Sequence, residues 1–462
     1  MEKSFAIDYL YFYGKEMFFM NNTKYFKEFA KYTSLNVLGM IGLSCYILAD
    51  TFFVSKGLGA NGLTALNLAI PIYSFINGSG LMLGMGGATK YSILKSQDRD
   101  KEANHAFTNT LLITLGLALV FFSIGIFLSG TITRLLGADE VIFKMSKTYL
   151  QVILLFAPMF MLNNVLLCFV RNDGAPQLSM LAMLGGSLSN IILDYVFIFP
   201  CNMGIFGAVF ATGLAPIISM LILSPYFFKK KNQFHFIKCK LSGKLISSTI
   251  SSGLPSLITE VSSGIVIIVF NKIILGLEGN IGVAAYGVIA NLSLVVISIY
   301  TGVAQGIQPI LSRSYGAGDR KNIQQILRYA LITVLVISGA VYSIVFFGAD
   351  QIANIFNSEH NALLQSIAVT GLKVYFTACV FAGFNIILSV YFTSTEHARP
   401  AHIISILRGF AIIIPMAFLL SSIGDMIGVW LTFPATELIV ALIGLTLYLI
   451  SKRQLSKKAH LS

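Results

Sequence analysis

Four acidic residues stand inside stretches that otherwise read as lipid-soluble. They are Asp50 in "GLSCYILADTFFVS", Asp194 in "SNIILDYVFIF", Glu260 in "GLPSLITEVSSG" and Glu437 in "GVWLTFPATELI". Ionisable side chains within a bilayer are costly and are kept mainly where function needs them. Tyr46 precedes Asp50 by one helical turn and Asn190 precedes Asp194 by the same spacing, so each pair shares a helix face. Asp50 and Asp194 each sit about six residues, roughly 9 Å, before the same membrane boundary. Thr212 sits about eight residues past that boundary on the next inward stretch. Asp50, Asp194 and Thr212 therefore share one depth, and with Tyr46 and Asn190 on the same helix faces they form a candidate cluster of five. Two carboxylates close together in a low-dielectric site do not both stay ionised without a partner. Such a group would hold a proton, or Asp50, Asn190, Asp194 and Thr212 would close around Na⁺ with oxygen ligands. The competing explanation is a structural network that joins helices by side-chain hydrogen bonds.

Glu260 falls near the middle of its stretch, shortly after Pro255, which bends a helix or frees a carbonyl. A carboxylate facing a cavity there suits a cationic substrate or a second proton; the competing explanation is a buried acid hydrogen-bonded to Ser or Thr on a neighbouring helix. Gln308, in "GIQPILSRSYGAGDRKN", is the second candidate cavity residue. The Gly-rich turn that follows it lacks the Gly-Lys-Ser/Thr signature of a phosphate loop. Glu437 reads as a helix-packing acid. Arg408 reads as a structural cation that snorkels towards the cytoplasm.

The elements that must position these residues are membrane helices. Of 462 residues, 56% are hydrophobic and 11% charged. That charge content is less than half of the ~25% usual in soluble domains. Apolar runs long enough to cross a bilayer recur along the chain, and they do not alternate as barrel strands do. Twelve spans are expected, near 31–55, 63–90, 104–130, 146–170, 177–200, 204–228, 245–277, 282–312, 323–348, 362–393, 400–421 and 427–451. The net charge of +12 is not the footprint of a nucleic-acid binder, because Lys and Arg concentrate in alternate loops. By the positive-inside rule, both termini and the loop "FFKKKNQFHFIKCKLSGK" are cytoplasmic. A cell-membrane, multi-pass protein is expected. The first residues, "MEKSFAIDYLYFYGKEMFF", lack a cleavage site. They read as an interfacial helix, or as sequence ahead of a start at Met20. The five cysteines and six histidines show no metal or disulfide spacing, and no cofactor is expected.

The chain also repeats itself. "GLTALNLAIP" (62–71) resembles "GVAAYGVIAN" (282–291), "LQVILLF" (150–156) falls on "LKVYFTA" (372–378), and "GIFGAVFAT" (204–212) falls on "DMIGVWLTF" (425–433). All share nearly one offset. This implies an all-α membrane protein of two six-helix lobes in parallel pseudo-two-fold relation. The expected parts are a segment 1–30, an N-lobe 31–228, a basic linker 229–244, a C-lobe 245–451 and a cytoplasmic tail 452–462.

The stretches "YILADTFFVSKGLGANGLTALNLAIPI", "SNIILDYVFIF…MGIFGAVFAT", "GLPSLITE", "GIQPILSRSYGAGDRKNIQQIL" and "GVWLTFPATEL" resemble those of the multidrug and toxic compound extrusion (MATE) transporters, over essentially the whole chain. The resemblance implies V-shaped lobes that export organic cations against inward H⁺ or Na⁺. It is closest to the DinF-like branch, whose N-lobe cluster of Tyr, Asp, Asn, Asp and Thr matches Tyr46, Asp50, Asn190, Asp194 and Thr212. Glu260 matches the seventh-span carboxylate of the NorM-like branch. The tenth span offers only Asn385 where that branch has an acid. The first span, "KYTSLNVLGM", lacks the proline common in DinF-like members.

The function expected is therefore a secondary antiporter for lipophilic cations, acting as a monomer in the bilayer. A flippase for a lipid-linked anionic precursor is the alternative, and such a cavity should be lined by Arg and Lys. An intramembrane transferase would need Asp-rich metal motifs, which the sequence lacks. A passive channel would need no titratable cluster.

Overall fold

Apolar helices account for every regular element of the computed structural model, among the described residues. These are residues 2–357 and 361–459, with side chains for 24–357 and 361–453. The side chains of 1–23, on which the interfacial-helix expectation rests, lie outside them. Eight described helices are long and apolar enough to cross a membrane, or nine when the bent pair Phe143–Leu155 and Ala157–Asn172 counts as one. Three of the eight are far too long for one crossing. A helix of 72 residues extends about 108 Å, against a hydrocarbon core of about 30 Å.

Each of the three is broken where the backbone leaves helical geometry. The breaks are at Gly59 (φ 67°), at Gly279 (φ 61°) and at Gly424–Asp425 (φ 46° at Asp425). At the first two, positive φ costs glycine nothing sterically, and this lets the chain reverse there. Divided at these breaks, the described chain has twelve long helical segments, besides the short helix Ser129–Leu135. In order they are 24–58, 60–95, Asp100–Phe127, the bent pair, Pro176–Ile198, Gly204–Phe228, 243–278, 280–316, Arg320–Phe356, Ala362–Ser394, 398–423 and 426–453. Gly59 and Gly279 are equivalent positions of the repeat and have nearly the same dihedrals, so the repeat seen in the sequence recurs in the backbone.

Local breaks inside segments have separate causes. The fourth bends by 45° where Pro158 opens its second helix and has no N–H to donate. The eleventh carries a π-helical turn, Leu407–Ala411.

Two large hydrophobic cores form, one drawn from residues 54–234 and one from 270–430. The second also takes in Phe29 and Tyr32 from the first segment. Between the halves, backbones touch through glycines. A Cβ on Gly86 would collide with the Thr249 carbonyl oxygen, and one on Gly253 with that of Met82. Small residues at such crossings give membrane helices their closest packing.

Candidate functional site

Asp194 is fully buried on the fifth segment and Asp50 nearly so on the first. The two lie within electrostatic reach of each other. In the amide orientation that satisfies both its ends, Asn190 donates to Asp194 Oδ2 at 3.0 Å and accepts from the Thr212 backbone N–H at 3.3 Å. Thr212 Oγ1 donates back to the Ala208 carbonyl at 3.1 Å, a bond within its own helix. Asp50 Oδ1 and Asp194 Oδ1 are buried with no hydrogen-bond partner. No described Lys, Arg or His forms an ion pair with either. A buried carboxylate in this state strongly favours a proton or a cation. Among the described residues no three His, Cys, Asp or Glu gather as a metal cluster. A monovalent ion here would rest on two acids plus neutral oxygens.

Tyr46 bonds outside the expected five. Its hydroxyl pairs with that of Tyr73 on the second segment at 2.9 Å. Tyr73 lies within electrostatic reach of both Asp50 and Glu260. Tyr149, on the fourth segment, is buried beside Asp50, Asp194 and Thr212. The sequence reading missed both Tyr73 and Tyr149. Their only signal is a polar hydroxyl in an apolar run, which many packing tyrosines share.

Glu260 belongs to the C-terminal half but faces the other. It accepts from Asn77 Nδ2 at 3.3 Å, and Asn164 Nδ2 donates to Asn77 Oδ1 at 2.8 Å. Pro255 cannot donate to the Ser251 carbonyl one turn earlier, and that freed oxygen accepts from His402 Nε2 at 2.6 Å.

Gln308 is fully buried between the halves. Its Nε2 donates to Thr89 Oγ1 at 2.9 Å and its Oε1 accepts from Asn172 Nδ2 at 2.8 Å. Next to Asn172 comes Arg171, which falls just past the span expected at 146–170 and drew no attention in the sequence. It is the last-turn cation of the fourth segment and 1% exposed. Its Nη1 donates to Asn36 Oδ1 on the first segment and to Gln305 Oε1 on the eighth, both at 2.8 Å. Among the described residues no carboxylate pairs with it, and its Nε has no partner. This end is held further by ion pairs Lys90–Glu396 (2.6 Å) and Arg313–Glu28, and by Tyr25 donating to Asp319 Oδ2 at 3.2 Å. Past Asn77–Glu260, towards Gly59 and Gly279, no hydrogen bond or ion pair among the described residues joins the halves. The halves are thus closed at the basic end.

Arg408 differs from the expected snorkelling cation. Its Nη2 and Nε donate to Glu437 Oε1 at 2.7 and 3.1 Å, while Asn385 Nδ2 donates to Glu437 Oε2 at 2.7 Å. The π turn at Leu407–Ala411 changes the register of side chains along this helix. A guanidinium that has a carboxylate within the bundle has no reason to reach for the interface.

One family model, MatE, matches twice, at residues 37–196 and 255–419, once in each half. The chain belongs to the MATE family. It is a multi-pass membrane transporter and not an enzyme. Over 456 residues it is 27% identical to Multidrug export protein MepA of Staphylococcus saprophyticus, covering 97% of this chain and 99% of that protein. Its fold matches a crystal structure of MATE in complex with MaL6, with a TM-score of 0.88 at 23% identity over 93% of this chain and 97% of that one. It also matches the outward-facing conformation of a multidrug resistance MATE family transporter of the MOP superfamily, with a TM-score of 0.86 at 24% identity over 93% and 96%.

Proposed function

We propose that this chain is a secondary antiporter that exports lipophilic organic cations in exchange for inward H⁺ or Na⁺. The observation that carries the proposal is the buried pair Asp50 and Asp194, each with an unpartnered oxygen and neither paired with a described Lys, Arg or His. The multidrug export named for the staphylococcal relative supports the substrate class.

In this reading all twelve segments cross the cell membrane, both termini are cytoplasmic, and residues 31–228 and 245–451 rock as two lobes. The tight basic end is then the cytoplasmic gate, closed while the cleft faces outward. Binding of the ion at Asp50 and Asp194 must be stronger in one conformation than in the other, because only a differential affinity can shift the equilibrium. Glu260 tunes the cavity towards cations. Tyr73 and Tyr46 connect it to the ion site. Arg171 and Gln308 break their contacts across the lobes when the gate opens.

The test is efflux of ethidium from energised cells at matched expression, for the wild type and Asp50→Asn. It is repeated without Na⁺ and with the proton gradient collapsed. Export by the wild type and loss in the variant are expected, and the gradient whose removal stops export names the ion. Export that persists in Asp50→Asn removes this residue from coupling.

A further inference from the structure

The basic linker 229–244 is pinned, not loose. Phe234 is buried against Tyr91, Phe107, Phe169 and Phe227, with ring centroids 4.7–5.9 Å apart. The backbone N–H groups of alternate residues Gln233, His235 and Ile237 donate to Asp173 Oδ2, Asn104 Oδ1 and Thr108 Oγ1, at 2.8, 2.8 and 3.1 Å. Ser242 N–H donates to Asn109 Oδ1 at 2.9 Å. Asp173 also accepts from Tyr91 and Tyr226 at 2.5 and 2.7 Å. Burial holds its carboxyl above the ordinary value, against the pull of these bonds.

An extended strap alternates its faces. Ile237 and Cys239 turn inward and are half-buried, while Lys238 and Lys240 turn outward and are exposed. Lys229, Lys230, Lys231 and Lys244 are exposed too. The strap contains no acid, and none of its lysines forms an ion pair among the described residues. Three large apolar side chains lie open beside the lysines: Phe228, Phe236 and Leu241, at 83%, 60% and 60% exposure. The strap grips the third segment at Asn104–Asn109, within about 14 Å of its start at Asp100. With the third segment crossing the bilayer as proposed, that stretch falls at the level of the membrane interface.

We propose that this strap is a docking surface for anionic phospholipid headgroups. Six lysines held on one fixed scaffold offer charge complementarity to a negative leaflet. The exposed aromatic and aliphatic side chains fit the boundary between headgroups and acyl chains, where such residues are at home. A soluble anion would have no use for them. The pinning matters as much as the charge. The backbone that carries the lysines is already held in place before binding, so less conformational entropy is lost than in a floppy polybasic loop.

The experiment uses the full chain, reconstituted with equal phosphatidylglycerol and phosphatidylcholine and released into native mass spectrometry. Selective retention of phosphatidylglycerol is expected. Replacing all six lysines by Gln should lower that retention about tenfold or more, with phosphatidylcholine unchanged. Each triple variant, at Lys229, Lys230 and Lys231 or at Lys238, Lys240 and Lys244, should lose part of it. The triples keep the test decisive if the sextuple variant is poorly produced. Equal retention of the two lipids by the wild type overturns the proposal. So does undiminished phosphatidylglycerol retention in the variants, or its full displacement by inorganic phosphate at constant ionic strength.

Discussion

The two halves share a backbone plan and differ in what they bury. The repeat sets Phe270 where the first half has Asp50, and Phe433 where it has Thr212. Phe270 is buried and stacked on Tyr286, and Phe433 is stacked on Tyr375. The C-terminal half has two intramembrane acids: Glu260 faces the other half and accepts from Asn77, while Glu437, inside its own bundle, is satisfied by Arg408 and Asn385. An acid already neutralised by a fixed guanidinium has little to gain from a proton or a cation. Asp50 and Asp194 have much to gain. The repeat supplies a common scaffold, and the loss of compensation in one half makes that half the candidate for ion exchange.

The largest effect that could break this contrast is at Asp194. Asp194→Asn should reduce ethidium efflux to the level of cells lacking the protein. Its melting temperature should hold or rise, by about 2 °C, because a buried unpaired carboxylate is a site of stored instability. Lost efflux accompanied by a collapse in melting temperature would make Asp194 a packing residue.

Arg408→Gln should behave in the opposite way. It leaves Glu437 buried without its cation, at a cost of about 3–5 kcal/mol, read as a lower melting temperature. The paired change Arg408→Met with Glu437→Leu should recover most of that stability, because removing both charges also removes their desolvation cost. Efflux by the double variant should be near normal. Stability restored without efflux would move the pair into the transport machinery and erase the contrast between the halves.

Arg171 tests the surface where the halves meet. Arg171→Ala removes charge-assisted bonds to Asn36 and Gln305, worth about 1.5–3 kcal/mol each when made to neutral partners in a buried site. Closure of the basic end should weaken by about 2 kcal/mol, roughly 30-fold in population. Spin labels at exposed positions 31 and 321, on a cysteine-free background, should report a new longer distance. An unchanged distance distribution would assign closure to the other contacts at this end: Gln308, the ion pairs Lys90–Glu396 and Arg313–Glu28, and the Gly86 and Gly253 crossings.

Much of this was legible in the sequence because membrane solvent makes charge conspicuous. Asp50, Asp194 and Glu260 stood out against apolar surroundings, and the one-turn spacing of Asn190 from Asp194 set both on the helix face where they bond. The helical class followed from the same apolar runs. Partners across the fold were not legible. Nothing local links Arg408 to Glu437, which sits on the next segment, or Arg171 to Gln305. A π turn at Leu407–Ala411 sets the register in which Arg408 points. Arg171 was hidden for a simpler reason, since an arginine at the end of an apolar run usually belongs to the interface. Tyr73 and Tyr149 were hidden because a hydroxyl in a tyrosine-rich membrane protein carries little information until its neighbours are known.

The smallest expected effect concerns the hydroxyl pair of Tyr46 and Tyr73. Their bond of 2.9 Å joins the first and second segments and stands between Asp50 and Glu260. Removing one hydroxyl should cost about 1 kcal/mol or less and leave transport running. What should change is coupling. The H⁺ or Na⁺ concentration giving half-maximal efflux should shift severalfold in Tyr46→Phe, and by the same factor in Tyr73→Phe. The double variant should match either single one, because both remove the same bond. Effects that add would show two hydroxyls acting on separate partners. In that case Glu260 and the Asp50–Asp194 pair would be independent sites, and the ion site would reach the substrate cavity only through motion of whole helices.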